Sequence, residues 1–194
     1  MYKVKKAMLG GVAAALMVCG MSLGAAAQAS SSGSQLSASD KAFMDKAAQG
    51  GMAEIELGQL ATQKGRSEQV KQFGQKMVDD HTKANDQLKQ VASQVGVTLP
   101  TGLDAKDEAT KDKLSKLSGT QFDKAYMKDM VNDHKVDVAE FQKEAQNGKD
   151  PAVKNFAQQT LPVLQEHLQM AQQDETAISQ GKSSGATTAS NRPQ

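Results

Sequence analysis

The chain has 194 residues, no tryptophan, 4% aromatic residues and a formal charge of +1. That length suffices for one domain with a real core, and the charge balance excludes an electrostatic footprint for nucleic acid. A single cysteine, Cys19, excludes an internal disulfide and a cysteine-ligated zinc site, and the abundance of Ala, Met, Gln, Lys and Asp describes packed helices rather than a sheet.

Met1-Tyr2-Lys3-Val4-Lys5-Lys6 precedes an apolar run from Ala7 to about Ala27. A basic start, a short apolar middle and small residues at its end describe a secretory signal peptide over residues 1–29. Ala27-Gln28-Ala29 offers the cleavage site, so the mature chain is expected to begin at Ser30 and to be periplasmic or secreted. Gly10, Gly11, Gly20, Ser22 and Gly24 dilute the apolar run, which argues against a retained transmembrane helix. Val18 directly before Cys19 argues against a lipoprotein signal. Loss of Lys3, Lys5 and Lys6 leaves 20 basic residues against 22 acidic ones.

Residues 30–37 form a Ser/Gly-rich leader and residues 181–194 a Ser/Thr/Ala/Gly tail, both expected to be disordered because neither has apolar periodicity. Between them, over residues 38–180, the periodicity predicts four helices at 38–64, 67–95, 119–147 and 150–179. Ser37 or Ser39, Ser67 and Asp150 are the candidate N-caps, with Pro151 at a first helical position. Gly65, Gly96 and Gly148 stand where helices should stop. The connection from Gly96 to Ser118 holds Pro100, Gly102 and a candidate short helix around residues 107–117, and is long enough to run back along a 29-residue helix of about 43 Å.

An internal duplication organises these helices. Asp40-Lys41-Ala42-Phe43-Met44 recurs 83 residues later as Asp123-Lys124-Ala125-Tyr126-Met127. The same offset carries Gly65 onto Gly148, Val70-Lys71 onto Val153-Lys154, and Phe73 onto Phe156. A helical hairpin has been used twice, which predicts an all-α fold: a four-helix up-down bundle of two hairpins joined by a long crossover.

At 100° per residue, His81 lies in the apolar stripe of the second helix with Val70, Phe73, Met77 and Leu88. His134 is central on the third with Met127, Met130 and Phe141, and Asp137 lies beside it. His167 joins Phe156, Thr160, Leu164 and Ala171 on the fourth, while Phe43, Ala47, Leu57 and Ala61 enclose Glu54 on the first. All three histidines of the chain therefore face the core, with two carboxylates that need partners there. Glu56 and Glu166 project to the opposite side, and Asp80 and Asp133 sit at the edge of the face as flank charges. Under the 83-residue offset Glu54 matches Asp137, His81 matches Leu164, and Ala84 matches His167.

These positions resemble the ferritin-like di-iron proteins, which carry a carboxylate on the first helix of each hairpin and Glu-x-x-His on the second. The resemblance implies that Glu54 and Asp137 are the carboxylates, that His167 is the histidine of one such motif, and that His81 stands where the other has its glutamate. Leu164 and Ala84 cannot ligate, so neither motif is intact and oxygen-activating di-iron chemistry is disfavoured. From about Asp40 to Gln173 the chain is similar to a ferritin-like family of exported bacterial proteins of unknown function, often labelled predicted outer-membrane proteins. The likeness rests on Ala53-Glu54-Ile55-Glu56-Leu57-Gly58, Met77-Val78-Asp79-Asp80-His81, Met130-Val131-Asn132-Asp133-His134, and Leu161-Pro162 with His167. Nothing alternates like a barrel strand, so the outer-membrane label gains no support from the sequence.

The leading expectation is a non-catalytic envelope module whose buried polar network fixes helix packing. The alternative is a metal-binding protein for sequestration or stress protection, in which Glu54, His81, His134, Asp137 and His167 hold one divalent Fe, Mn or Zn ion. A ferritin-type oxidase is the third reading. A metal ion and a second copy of the chain are the partners left open.

Overall fold

A computed structural model describes residues 36–181. The expected signal peptide, residues 30–35 of the leader and residues 182–194 of the tail lie outside the described residues. Within the described part are five α-helices and no strand: α1 (Ala38–Lys64), α2 (Glu68–Val95), α3 (Ala105–Ser115), α4 (Gly119–Asn147) and α5 (Pro151–Ser179). The four long helices begin and end within a residue of the predicted spans, because the glycines and caps that bound them act locally. None of the described helices is long and apolar enough to cross a membrane.

α1 packs along α2 and α4 along α5, each pair forming a hairpin. The hairpins meet through α2 against α5 and α1 against α4, while α3 rides on α1 and touches α4. Close approach within the first hairpin depends on missing side chains. A Cβ on Gly58 would lie 2.6 Å from the Gly74 carbonyl oxygen, and one on Gly74 would lie 2.6 Å from the Ala61 Cβ.

The two hairpin turns use one device, exchanged between halves. Asp123, on α4, accepts hydrogen bonds from the backbone N–H groups of Arg66 and Ser67, each at 2.9 Å, and so holds the turn before α2. Asp40, its counterpart on α1, accepts from Lys149 N–H at 3.1 Å and Asp150 N–H at 2.7 Å, before α5. Both carboxylates are buried, at 3% and 0% exposure, and each satisfies backbone donors that a helix start leaves orphaned. Burial works against the ionised Asp40, but the donors of Asp150, Ser37, Lys149 and Ser39 outweigh it and hold the carboxyl below its ordinary range.

Ser37 and Asp150 cap their helices as expected, Ser37 Oγ accepting from Asp40 N–H at 3.1 Å and Asp150 Oδ1 from Ala152 N–H at 2.8 Å. Ser67 differs: it stands at the N-cap but its side chain makes no capping bond, because Asp123 supplies that end of the turn. Gly65 and Gly148 also differ from simple stop signals. Their φ values, −61° and −50°, are open to any residue; what excludes a side chain is space. A Cβ would fall 2.7 Å from the Ala61 carbonyl oxygen at Gly65 and 2.8 Å from the Glu144 carbonyl oxygen at Gly148. Of these three glycines, Gly96, at φ 70°, is the one that ends its helix in the left-handed region. α5 runs unbroken through Pro162.

Two apolar clusters fill the interior. One gathers Leu57, Phe73, Met77, Tyr126 and Met130 with Leu114 of α3. The other gathers Phe43, Met44, Leu88, Phe141, Phe156 and Leu164. Glu54, His81, His134 and His167 each fall between these clusters along their helices, so a polar layer is held between two largely apolar ends. Each fully buried Leu, Met or Phe there contributes about 1.5–3 kcal/mol, which lets the ends carry a costly middle.

Candidate metal centre

α2, α4 and α5 each deliver one histidine to that layer from a buried position. His81, His134 and His167 are buried, at 6%, 0% and 1% exposure. Their ring centroids lie 5.9 Å (81–134), 5.5 Å (81–167) and 5.4 Å (134–167) apart. One ring nitrogen of each lies within 4.8 Å of the others.

The hydrogen bonds fix the chemistry of two rings. The His134 Nδ1–H donates to the Met130 carbonyl at 3.0 Å, and the His167 Nε2–H donates to Asp80 Oδ2 at 2.9 Å. Neutral imidazole has one N–H, so the remaining nitrogens, His134 Nε2 and His167 Nδ1, carry lone pairs. These two atoms and His81 Nε2 are buried with no hydrogen-bond partner among the described residues. Burial, then the neighbouring imidazoles, pushes the His81 pKa well below its ordinary value. Burial likewise pushes His134 down to about 4, and lowers His167 against the opposing pull of Asp80. At neutral pH the layer therefore presents three uncharged imidazoles.

A second group adjoins it. Glu54 of α1 comes together with Asp133 and Asp137 of α4, one carboxylate oxygen from each lying within 4.8 Å of the others. Glu54 is completely buried and neither of its oxygens has a partner among the described residues. Burial first, then Asp133 and Asp137, raises its pKa well above the carboxylate range. Burial, with Asp133 and Glu140, raises Asp137 to about 8. The His134 Nδ1 stands 3.4 Å from Glu54 Oε1, where the two groups touch.

The residues expected to form one ligand set are thus near neighbours in two chemical groups. His134, expected in one set with the carboxylates and the other two histidines, stands with His81 and His167; Glu54 and Asp137 stand with Asp133. A cavity of about 20 Å³ beside His81 also reaches Asp137, Asn85 and Thr160, enough for roughly one water molecule. Two residues set aside as flank charges prove to be partners of the site. Asp80 orients His167 while pairing with Lys76 at 3.0 Å, and Asp133 belongs to the carboxylate group while pairing with Lys106 at 3.1 Å. The available signal was their position one residue before a histidine, which puts them on the adjacent flank of the same helix. Glu56 does face away from the core, where it pairs with Lys111 of α3 at 2.9 Å.

Helical hairpins enclosing a layer of histidines and carboxylates define an all-helical domain. The chain belongs to the family described as a domain of unknown function (DUF4142), which matches residues 25–173. It is similar in fold to the crystal structure of a DUF305 fragment from Deinococcus radiodurans, with a TM-score of 0.64 and 14% sequence identity, over 75% of this chain and 98% of that one. No curated protein matches the sequence.

Proposed function

We propose that this chain is an exported metal-binding protein of ferritin-like four-helix architecture, in which His81, His134 and His167 hold one divalent transition-metal ion. The observation that carries this reading is the set of three buried imidazole nitrogens, one on each ring, without partners. A network that served only to fix helix packing would spend these atoms on one another, since an unsatisfied buried polar group costs about 1–3 kcal/mol. Two of the rings are already oriented through their other nitrogen by a carboxylate and a carbonyl, the usual outer partners of ligating histidines. An all-imidazole set suits Zn, Cu, Ni or Fe, and Zn–N distances of about 2.0–2.1 Å would require the rings to draw together by roughly 1 Å. The water-sized space beside His81 favours holding an ion over turning over a substrate. Sequestration or stress protection outside the cytoplasm is the role that fits.

Zn2+ should bind the folded protein, purified without a histidine tag, and raise its Tm. The stabilisation follows RT ln(1 + [L]/Kd), about 2.7 kcal/mol at a hundredfold excess over Kd. His81→Ala or His167→Ala should abolish most of this gain, while Glu56→Ala should preserve it. Calorimetry that detects no Zn2+ binding, or equal binding by both histidine variants, overturns the proposal in favour of a packing network.

A further inference from the structure

The carboxylate group opens to solvent, and the histidines do not share that opening. A cleft of about 190 Å³ between α1, α3 and α4 is lined by Asp104, Asp107, Asp133, Asp137 and Glu140, with Lys46 and Lys106 among them. Asp133 and Asp137 are one helical turn apart on α4, so both carboxylates share the face that forms the inner wall. Beyond them lies Glu54, fully buried, with two unpartnered oxygens and a carboxylate within 4.8 Å of both aspartates.

We infer that Glu54, Asp133 and Asp137 form a second cation site, distinct from the imidazole set, which takes a hard divalent ion through the acidic cleft. The donor set is all oxygen, the chemistry that selects Mn2+, Mg2+ or Ca2+ over the ions imidazole prefers. His134 separates the sites and does not join them. Its Nδ1 carries the proton donated to Met130, so the atom 3.4 Å from Glu54 has no lone pair for an ion. Before an ion enters, Lys106 supplies the positive charge beside these carboxylates. That lysine now holds Asp133 at 3.1 Å with its own side chain 71% exposed, so it competes for one of the ligands from the mouth of the cleft. This inference does not depend on whether the histidines bind zinc.

Mn2+ is the probe, because its aqueous EPR signal reports the unbound ion directly. The full chain should bind one Mn2+ per molecule, and Glu54→Gln and Asp137→Asn should each weaken binding at least tenfold. Lys106→Ala should tighten it several-fold by releasing Asp133, and His81→Gln should leave it within twofold. Circular dichroism checks that each variant is folded, and the exposed Lys106 position decides the matter even where a buried variant is not. No Mn2+ binding, a Glu54→Gln variant that binds like the parent, or no tightening in Lys106→Ala overturns the site. Equal loss in His81→Gln and Glu54→Gln overturns its separateness and leaves one mixed site.

Discussion

The hairpin turns and the layer midway between them come from the same repeated sequence, yet the two regions treat the repeat differently. At the turns the correspondence is kept residue for residue. Asp40 and Asp123 each reach across to the other hairpin and accept the N–H groups of residues that are themselves 83 apart, Lys149 and Asp150 against Arg66 and Ser67. In the middle it survives in the carboxylates Glu54 and Asp137 but is lost at the histidines. His134 corresponds to Gly51, over which the Asn85 amide lies 2.2 Å from where a Cβ would stand; His81 corresponds to Leu164 and His167 to Ala84. Folding devices must work identically in both halves to join them. The imidazole set needs three rings converging on one place, and the repeat-related positions Gly51, Leu164 and Ala84 supply none.

The strongest test of that contrast is to remove a turn carboxylate. Asp123→Ala orphans two backbone donors of the turn, that of Ser67 buried and that of Arg66 part-buried, and should cost about 3 kcal/mol, since hydrogen bonds to a charged group contribute roughly 1.5–3 kcal/mol each. Asp40→Ala should cost a similar amount, because the device is the same. Urea unfolding measures both; a loss below about 1 kcal/mol in either would show that the turns hold themselves.

In the middle layer, charge should matter more than shape, and its two groups should pull in opposite directions with pH. A histidine whose folded pKa is depressed binds its proton in the unfolded state first, so stability is lost as pH falls from about 6.5, for His134 down to about 4. A carboxyl whose folded pKa is raised does the reverse. Its stabilising contribution is full at low pH and is lost as pH rises, for Asp137 up to about 8. Between pH 4 and 6.5 these trends oppose one another. A His81→Gln/His134→Gln variant of the metal-free protein should therefore gain on the parent as pH falls through that window, His134 alone accounting for up to about 3 kcal/mol. A constant difference between the two unfolding profiles would mean the imidazoles are charged in the folded state.

The smallest effect expected is that of Glu54→Gln in the metal-free protein. Near pH 4 the glutamate is protonated in the fold and the amide replaces it at little cost. As pH rises the unfolded glutamate ionises while the buried one resists, so the variant should become more stable than the parent, by about 1–3 kcal/mol at neutral pH. Thermal melts at pH 4 and pH 7.5 give the comparison, and a variant less stable at both values would reveal a partner for the ionised carboxylate.

Helix positions, the repeat and the inward direction of the three histidines were legible in the sequence, because each is governed by local geometry. Caps and glycines act over a few residues, and 100° per residue tells which side chains share a face. The same rule turned Glu54 to the interior, whereas Asp137 is half-buried on the wall of the open cleft. Which groups meet was decided only by the tertiary structure. Periodicity says that Glu54 and His134 both point inward, but not that α1 and α4 bring Glu54 level with Asp133 and Asp137 while the rings of α2, α4 and α5 converge beside them. Asp80 and Asp133 show the limit most clearly. On their own helices they lie at the edge of a stripe, where charge is ordinarily solvated. The neighbouring helix decides whether that edge is surface or interface, and α5 places His167 there for Asp80 while α1 places Glu54 there for Asp133. The turn aspartates follow the same reasoning: their recurrence was visible, but their partners lie 56 to 110 residues away, and only packing brings them within hydrogen-bond distance.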